Sequence, residues 1–113
     1  METNTTIEIW EPVEGFEGYY EVSNTGKVRS VERTIPLEGK RKGQVRKYSS
    51  RELKPLFTQG HTIVKLYKEG VSQSIGIGKL VALHFLEGFK ESGRSKVRYK
   101  DGNIENCNVN NLE

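Results

Sequence analysis

Apart from its cations, this 113-residue chain has few side chains able to do chemistry. His61 and His84 are the only imidazoles, and no spacing joins them into a metal pair. His84 falls inside a helical stretch and reads as a surface or half-buried helix residue, while His61 opens a strand far along the chain from Asp101. The single cysteine, Cys107, excludes an internal disulfide and any multi-cysteine zinc site. The cations carry more information. Between residues 27 and 54 stand Lys27, Arg29, Arg33, Lys40, Arg41, Lys42, Arg46, Lys47, Arg51 and Lys54, against Glu32, Glu38 and Glu52, which leaves +7. Such a stretch inside a folded domain is the footprint of a polyanion-binding face. A solvated basic loop that binds nothing in particular is the plain alternative for a charge run alone. Residues 1–22 are the reverse, with six glutamates and no lysine or arginine, interleaved with Trp10, Phe16, Tyr19 and Tyr20.

The elements that must position these groups are short. Hydrophobic content of 34% and a mean hydropathy of −0.67 leave room for one domain, or for two very small modules sharing a core. A chain of this size buries roughly 60–70% of its unfolded surface. No stretch approaches the ~20 apolar residues of a membrane span, and no signal peptide opens the chain, so a soluble intracellular protein is expected. Ile7 to Trp10 alternates and is ended by Pro12. Tyr19 to Val22, the Ser23-Asn24-Thr25-Gly26 turn and the alternating Lys27 to Arg33 predict a hairpin. In it Val28 and Val31 pack, while Lys27, Arg29 and Arg33 face water or a ligand.

Pro36 to Arg51 reads as a basic loop or long hairpin tip. Leu53–Phe57, His61–Tyr67 and Val71–Ile77 predict further strands, with a turn at Glu69-Gly70. Lys79 to Leu86 is the one helix, with Leu80, Leu83, Ala82 and Leu86 toward the sheet. Residues 88–96 read as a polar linker, Lys96–Tyr99 as a short strand, and Asp101-Gly102 as a turn into an asparagine-rich end. The class is α+β, mostly antiparallel strands with one helix.

Two blocks resemble known modules. The first is Trp10-Glu11-Pro12-Val13-Glu14-Gly15-Phe16-Glu17-Gly18-Tyr19-Tyr20-Glu21-Val22-Ser23-Asn24, continuing through Thr25-Gly26-Lys27-Val28-Arg29-Ser30. It resembles the nuclease-associated modular domain at the N-terminus of phage and intron-encoded HNH homing endonucleases. The second runs Lys79-Leu80-Val81-Ala82-Leu83-His84-Phe85, then Val97-Arg98-Tyr99-Lys100-Asp101-Gly102-Asn103-Ile104-Glu105-Asn106, then Asn110-Asn111-Leu112-Glu113. It is similar to the HNH module itself. The resemblance implies three parts: a modular motif with hairpin over 1–35 in a small antiparallel β-sheet, a basic variable loop or strand over 36–56, and a degenerate, truncated HNH-like module of ββα type over 57–113.

The family's chemistry needs an imidazole as general base and a hard divalent cation held by oxygen ligands. Against that pattern this chain has Arg98-Tyr99 where the family has Asp-His, and Gly78 where a histidine precedes the helix. Arginine has no lone pair for a cation, and a phenol with a pKa of about 10 is a poor base at neutral pH. The chain also ends at Glu113, where the family continues into a helix bearing another ligand. Asp101, Asn106 and Asn111 match family positions but read as shaping a turn and loop.

The expectation is therefore a nuclease fold without catalysis, with no metal and no cofactor. It would bind double-stranded DNA by the hairpin and loop cations, with Arg98 supplying positive charge where the metal is lost. A phage protein that binds and disables a host bacterial protein is the alternative, suggested by the acidic aromatic start. A third is an active nuclease using Tyr99, Asp101 or His84. The resemblance places the protein in the cytoplasm of a bacterial host.

Overall fold

The computed structural model describes residues 7–36, Gly39 and 43–113. The fold is mixed α+β, built on antiparallel sheets. Its strands are β1 (Trp10–Pro12), β2 (Tyr20–Ser23), β3 (Val28–Ser30), β4 (Arg33–Pro36), β5 (Val45–Tyr48), β6 (Arg51–Glu52), β7 (Leu56–Thr58), β8 (His61–Lys68) and β9 (Val71–Gly76). Helices α1 (Ile77–Phe85) and α2 (Phe89–Ser92) follow, then a 3-10 turn at Val109–Asn111. The strands pair in the orders β1-β2-β3-β6, β4-β5 and β7-β8-β9, every pair antiparallel. Neither helix is long and apolar enough to cross a membrane.

Strand β8 shows how the pattern becomes a core. Thr62, Val64 and Leu66 are buried on one face, while His61, Lys65 and Tyr67 are exposed on the other. Helix α1 lays Ile77, Leu80 and Val81 on the same core. The N-terminal block adds Val13, Phe16, Tyr20, Val22 and Val28, and the C-terminal loop adds Cys107 and Leu112. One buried cluster thus draws on all of these segments.

Polar contacts fix the same junctions. The Tyr67 amide donates to the Tyr20 hydroxyl at 3.1 Å. The Asn24 carbonyl accepts from the Val109 amide at 2.9 Å, while the Asn24 side chain holds the Ile7 and Ile9 backbone. His84 bridges α1 to the acidic block: the Glu14 amide donates to Nε2 at 3.2 Å, and Nδ1 lies 3.2 Å from a Glu11 carboxylate oxygen. Because Nε2 accepts, the neutral ring carries its proton on Nδ1, which can then donate to Glu11.

Several elements differ from the sequence reading for local reasons. The first strand begins at Trp10, because residues 10–12 find partners at 21–23. Pro12 is tolerated because β1 is an edge strand. The Lys27–Arg33 run breaks after Ser30 and resumes as β4 in a separate two-stranded ribbon with β5, so of the loop and hairpin-tip readings of Pro36 to Arg51 the pairing follows the hairpin. Of Leu53–Phe57 only Leu56 and Phe57 are in a strand, β7, while β6 ends before Leu53, with Pro55, which lacks an N–H, in the gap. Helix α1 starts at Ile77 and buries Val81 fully, leaving Leu83 and Leu86 half-buried. The supposed polar linker contains α2, whose Phe89 is 2% exposed. Lys96–Tyr99 is an extended arm with a single bridge, Tyr99 to Leu112, and reciprocal backbone bonds between Arg98 and Glu113.

Gly26 sits at the seam between the two ends of the chain. Its φ is +99°, and a β-carbon there would lie 2.9 Å from Cys107 Cβ. Alanine at Gly15 (φ +88°) meets no atom within 4 Å and pays only the left-handed backbone strain of about 1–2 kcal/mol. Gly26→Ala is expected to cost at least about 1 kcal/mol beyond Gly15→Ala, because it also wedges the seam open. Urea unfolding of the two variants measures the difference.

Candidate nucleic-acid interface

The β4–β5 ribbon pairs Arg33 with Tyr48, and Arg46 stands two residues before Tyr48 on the same strand, so the backbone register puts these three on one face. The Arg33 guanidinium lies 4.6 Å from the Tyr19 ring centroid and 5.2 Å from that of Tyr48, and Arg46 lies 5.5 Å from Tyr48. Aromatic faces hold these cations by their quadrupoles, worth about 0.5–1 kcal/mol each at exposed sites. Arg33 Nε is buried with no hydrogen-bond partner among the described residues.

Between the ribbon and the first sheet lies a groove of about 600 Å3, lined by Arg33, Arg46, Lys47 and Arg51 beside Tyr20 and Tyr48, with no carboxylate in its lining. Lys47 also reaches Glu32 at 3.1 Å. That pair is well exposed and contributes little. A two-stranded ribbon is narrow enough for the major groove of duplex DNA.

The remaining sequence-predicted cations are dispersed. Lys27 and Lys54 are exposed outside the groove. Arg29 bonds Glu21 at 2.7 Å and lies 3.9 Å over the Trp10 ring, so its guanidinium is already engaged. Lys40, Arg41 and Lys42 lie outside the described residues. Arg98 is exposed on the C-terminal arm. The aromatic residues of the acidic block turn inward: Phe16 and Tyr20 are core, and Trp10 and Tyr19 are half-buried beneath Arg29 and Arg33. The composition of residues 27–54 marked the cations, but not Tyr19 and Tyr48 as the rings that order Arg33. The only signal was aromatic interleaving.

The positions that match the HNH pattern form two clusters. In one, a β-carbon at Gly78 would run into the Tyr99 hydroxyl, and would come within 3.0 Å of Tyr99 Cζ and 3.2 Å of Val97 Cγ2. The phenol therefore fills the volume that any side chain at 78 would need. Burial, reinforced by Cys107, raises the Tyr99 pKa and keeps the phenol neutral. Burial likewise raises that of Cys107. In the other cluster Asp101 accepts from the Asn103 amide at 2.8 Å and from Asn106 and Asn111 Nδ2 at 3.0 Å each, while Asn111 Oδ1 accepts from the Asp101 amide at 3.1 Å. The Asn103 amide, then the two side-chain amides, lower the Asp101 pKa. Among the described residues no three His, Cys, Asp or Glu side chains are grouped to hold a metal ion. A divalent cation does not fit here: Arg98 offers no lone pair, Tyr99 is a neutral phenol packed on the helix, and Asp101 is occupied by its own loop.

Two outcomes follow from this packing. Gly78→Ala is expected to destabilise the wild type by about 1–3 kcal/mol through overpacking. In a Tyr99→Ala background the same change should turn neutral or stabilising, since alanine is favoured over glycine in a helix by about 1 kcal/mol. Thermal unfolding of the four proteins measures the coupling. For Asp101, the depressed native pKa means its contribution is present above the unfolded value of about 3.9 and is lost as pH falls through the native value. Asp101→Asn should be less stable at neutral pH and show a flatter loss of stability below about pH 4. Unfolding at a series of pH values tests this.

The NUMOD4 motif family matches residues 8–67 of the chain. DNA endonuclease I-HmuI of Bacillus phage SP01 is 35% identical over 103 residues, which is 91% of this chain and 49% of that protein. The structure described as DNA binding and cleavage by the HNH homing endonuclease I-HmuI aligns with a TM-score of 0.69 at 34% identity, covering 92% of this chain and 50% of the other. The chain spans about half the length of these relatives.

Proposed function

The chain belongs to the NUMOD4 motif family, and from that premise, with its similarity to an HNH homing endonuclease, we propose that it binds double-stranded DNA through a basic face and does not cleave it. One observation carries the binding: the groove, without a carboxylate in its lining, in which Arg33, Arg46, Lys47 and Arg51 converge beside Tyr20 and Tyr48. Guanidinium groups match phosphate oxygens in a two-pronged geometry, and ring contacts hold those of Arg33 and Arg46 before the ligand arrives. Lys27, Lys54 and Arg98 extend the positive field beyond the groove, and Lys40, Arg41 and Lys42 continue the same run along the sequence. Contacts of this kind go mainly to the backbone, so affinity depends on salt and selects weakly among sequences.

The absence of cleavage is inferred from the residues at the centre. A nuclease of this type needs a base and a cation beside the phosphate. Here the corresponding positions hold an arginine and a neutral tyrosine, and neither can do those jobs. No observation favours a host protein as partner, since the aromatic residues that suggested one are packed into the fold or under arginines.

Fluorescence anisotropy with a short duplex is expected to show binding that weakens steeply between about 50 and 200 mM salt. Arg46→Gln with Arg51→Gln should weaken it on every sequence and lower the slope of log K against log salt by about 1.8. Supercoiled plasmid should stay intact with magnesium or manganese. Salt-independent binding would overturn the first half of the proposal, and nicking that Asp101→Asn abolishes would overturn the second.

A further inference from the structure

Above the packed Gly78–Tyr99 pair lies a second cavity without acids. It measures about 440 Å3 and is bordered by Lys79, Lys96, His61, Thr58, Ser95 and the Tyr99 ring, with no aspartate or glutamate in its lining. The volume falls in the range of small-ligand sites, roughly 300–1,000 Å3. Neither lysine forms an ion pair among the described residues. Both are exposed, and so is His61. The chain brings these groups together from three places: the β7–β8 turn supplies Thr58 and His61, α1 supplies Lys79, and the C-terminal arm supplies Ser95 and Lys96.

The chemistry of this lining selects its ligand. Two ammonium groups, an imidazole and two hydroxyls offer donors and positive charge, and no carboxylate competes for the cations or repels an anion. Tyr99 contributes a ring to the floor and stays neutral, so it adds no opposing charge. A tetrahedral oxyanion is the group that uses several such donors at once.

We infer that this cavity is a metal-free phosphate site that takes a backbone phosphodiester of the bound DNA through Lys79 and Lys96, with His61 and the hydroxyls as further donors. The inference rests on the DNA-binding reading and adds a contact separate from the β4–β5 groove. It also gives the Gly78–Tyr99 packing a role, because the phenol closes the bottom of the site against the helix.

The test compares the wild type, Lys79→Gln/Lys96→Gln and the groove variant Arg46→Gln/Arg51→Gln. Duplex binding is followed by anisotropy, and inorganic phosphate is titrated while the amides of Gly78, Lys79 and Tyr99 are followed by NMR. The lysines are exposed, so their replacement leaves the core intact. The expected result is a salt slope lowered by about 1.8 in the lysine variant, and phosphate-dependent shifts at these amides that the variant loses. If the groove variant weakens binding while the lysine variant keeps wild-type affinity and slope, the inference is overturned and the DNA-binding reading stands. If the wild type binds no duplex, that reading fails. In that case phosphate shifts lost in the lysine variant would still support an oxyanion site, and their absence in the wild type would overturn it.

Discussion

Helix α1 has three sides, and each one meets a different part of the chain. Its apolar side, Ile77, Leu80 and Val81, lies in the core with Val64 and Leu66 of β8. Its start, at Gly78, receives the Tyr99 ring from the C-terminal arm. Its end, at His84, reaches the acidic block through Glu11 and the Glu14 amide. The N-terminal block, the middle sheet and the C-terminal loop are each short, and a three-stranded sheet with one helix is near the lower limit of independent stability. Docking all three on one nine-residue helix is what lets so small an apolar content share a core. The seam at Gly26 and Cys107 joins the first and last segments directly and closes the arrangement.

The β4–β5 ribbon follows a different rule. Its described side chains are largely exposed, every residue of β5 included, so burial contributes little to its order. Arg33 between Tyr19 and Tyr48 supplies order of another kind, with a cation fixed by two ring faces. This also explains how a strongly basic segment stays folded. Like charges spread along a ribbon repel, and each ring face that holds a guanidinium offsets part of that cost. The net charge of +3 is consequently a poor guide to the surface, because the first 22 residues hold six glutamates and no lysine or arginine, while Arg33, Arg46, Lys47 and Arg51 converge elsewhere.

What the sequence made legible was whatever lies close along the chain. Ser23-Asn24-Thr25-Gly26 marked the β2–β3 hairpin, Glu69-Gly70 marked the β8–β9 hairpin, and the run from Lys79 to Leu86 marked α1. The β4–β5 ribbon was legible only as one of two readings, a loop or a long hairpin tip, since Gly and Lys/Arg between the strands give no apolar alternation to reveal the pairing. Phe89 was overlooked for a similar reason: a single apolar residue among polar neighbours has no period, and only the fold shows that it is fully buried. The exchange at Gly78 and Tyr99 was visible as two separate departures. Their dependence on each other needed the contact, because twenty-one positions of chain separate them.

That dependence constrains how the centre can change. A histidine returned to position 78 alone would meet the Tyr99 ring, so the helix or the arm would have to move. A histidine in place of Tyr99 alone would leave a void against Gly78 and would still stand beside Arg98, whose charge disfavours any cation and lowers the basicity of a neighbouring imidazole. An aspartate at 98 alone would find a neutral phenol and an Asp101 already bonded to its loop. Each single reversal therefore costs packing or leaves an isolated ligand, and none makes a pair. Cations without a metal avoid the problem. On the proposed reading, the charges of Lys79, Lys96 and Arg98 need no lone pairs to arrange and no water to activate, so binding does not require the geometry that cleavage does.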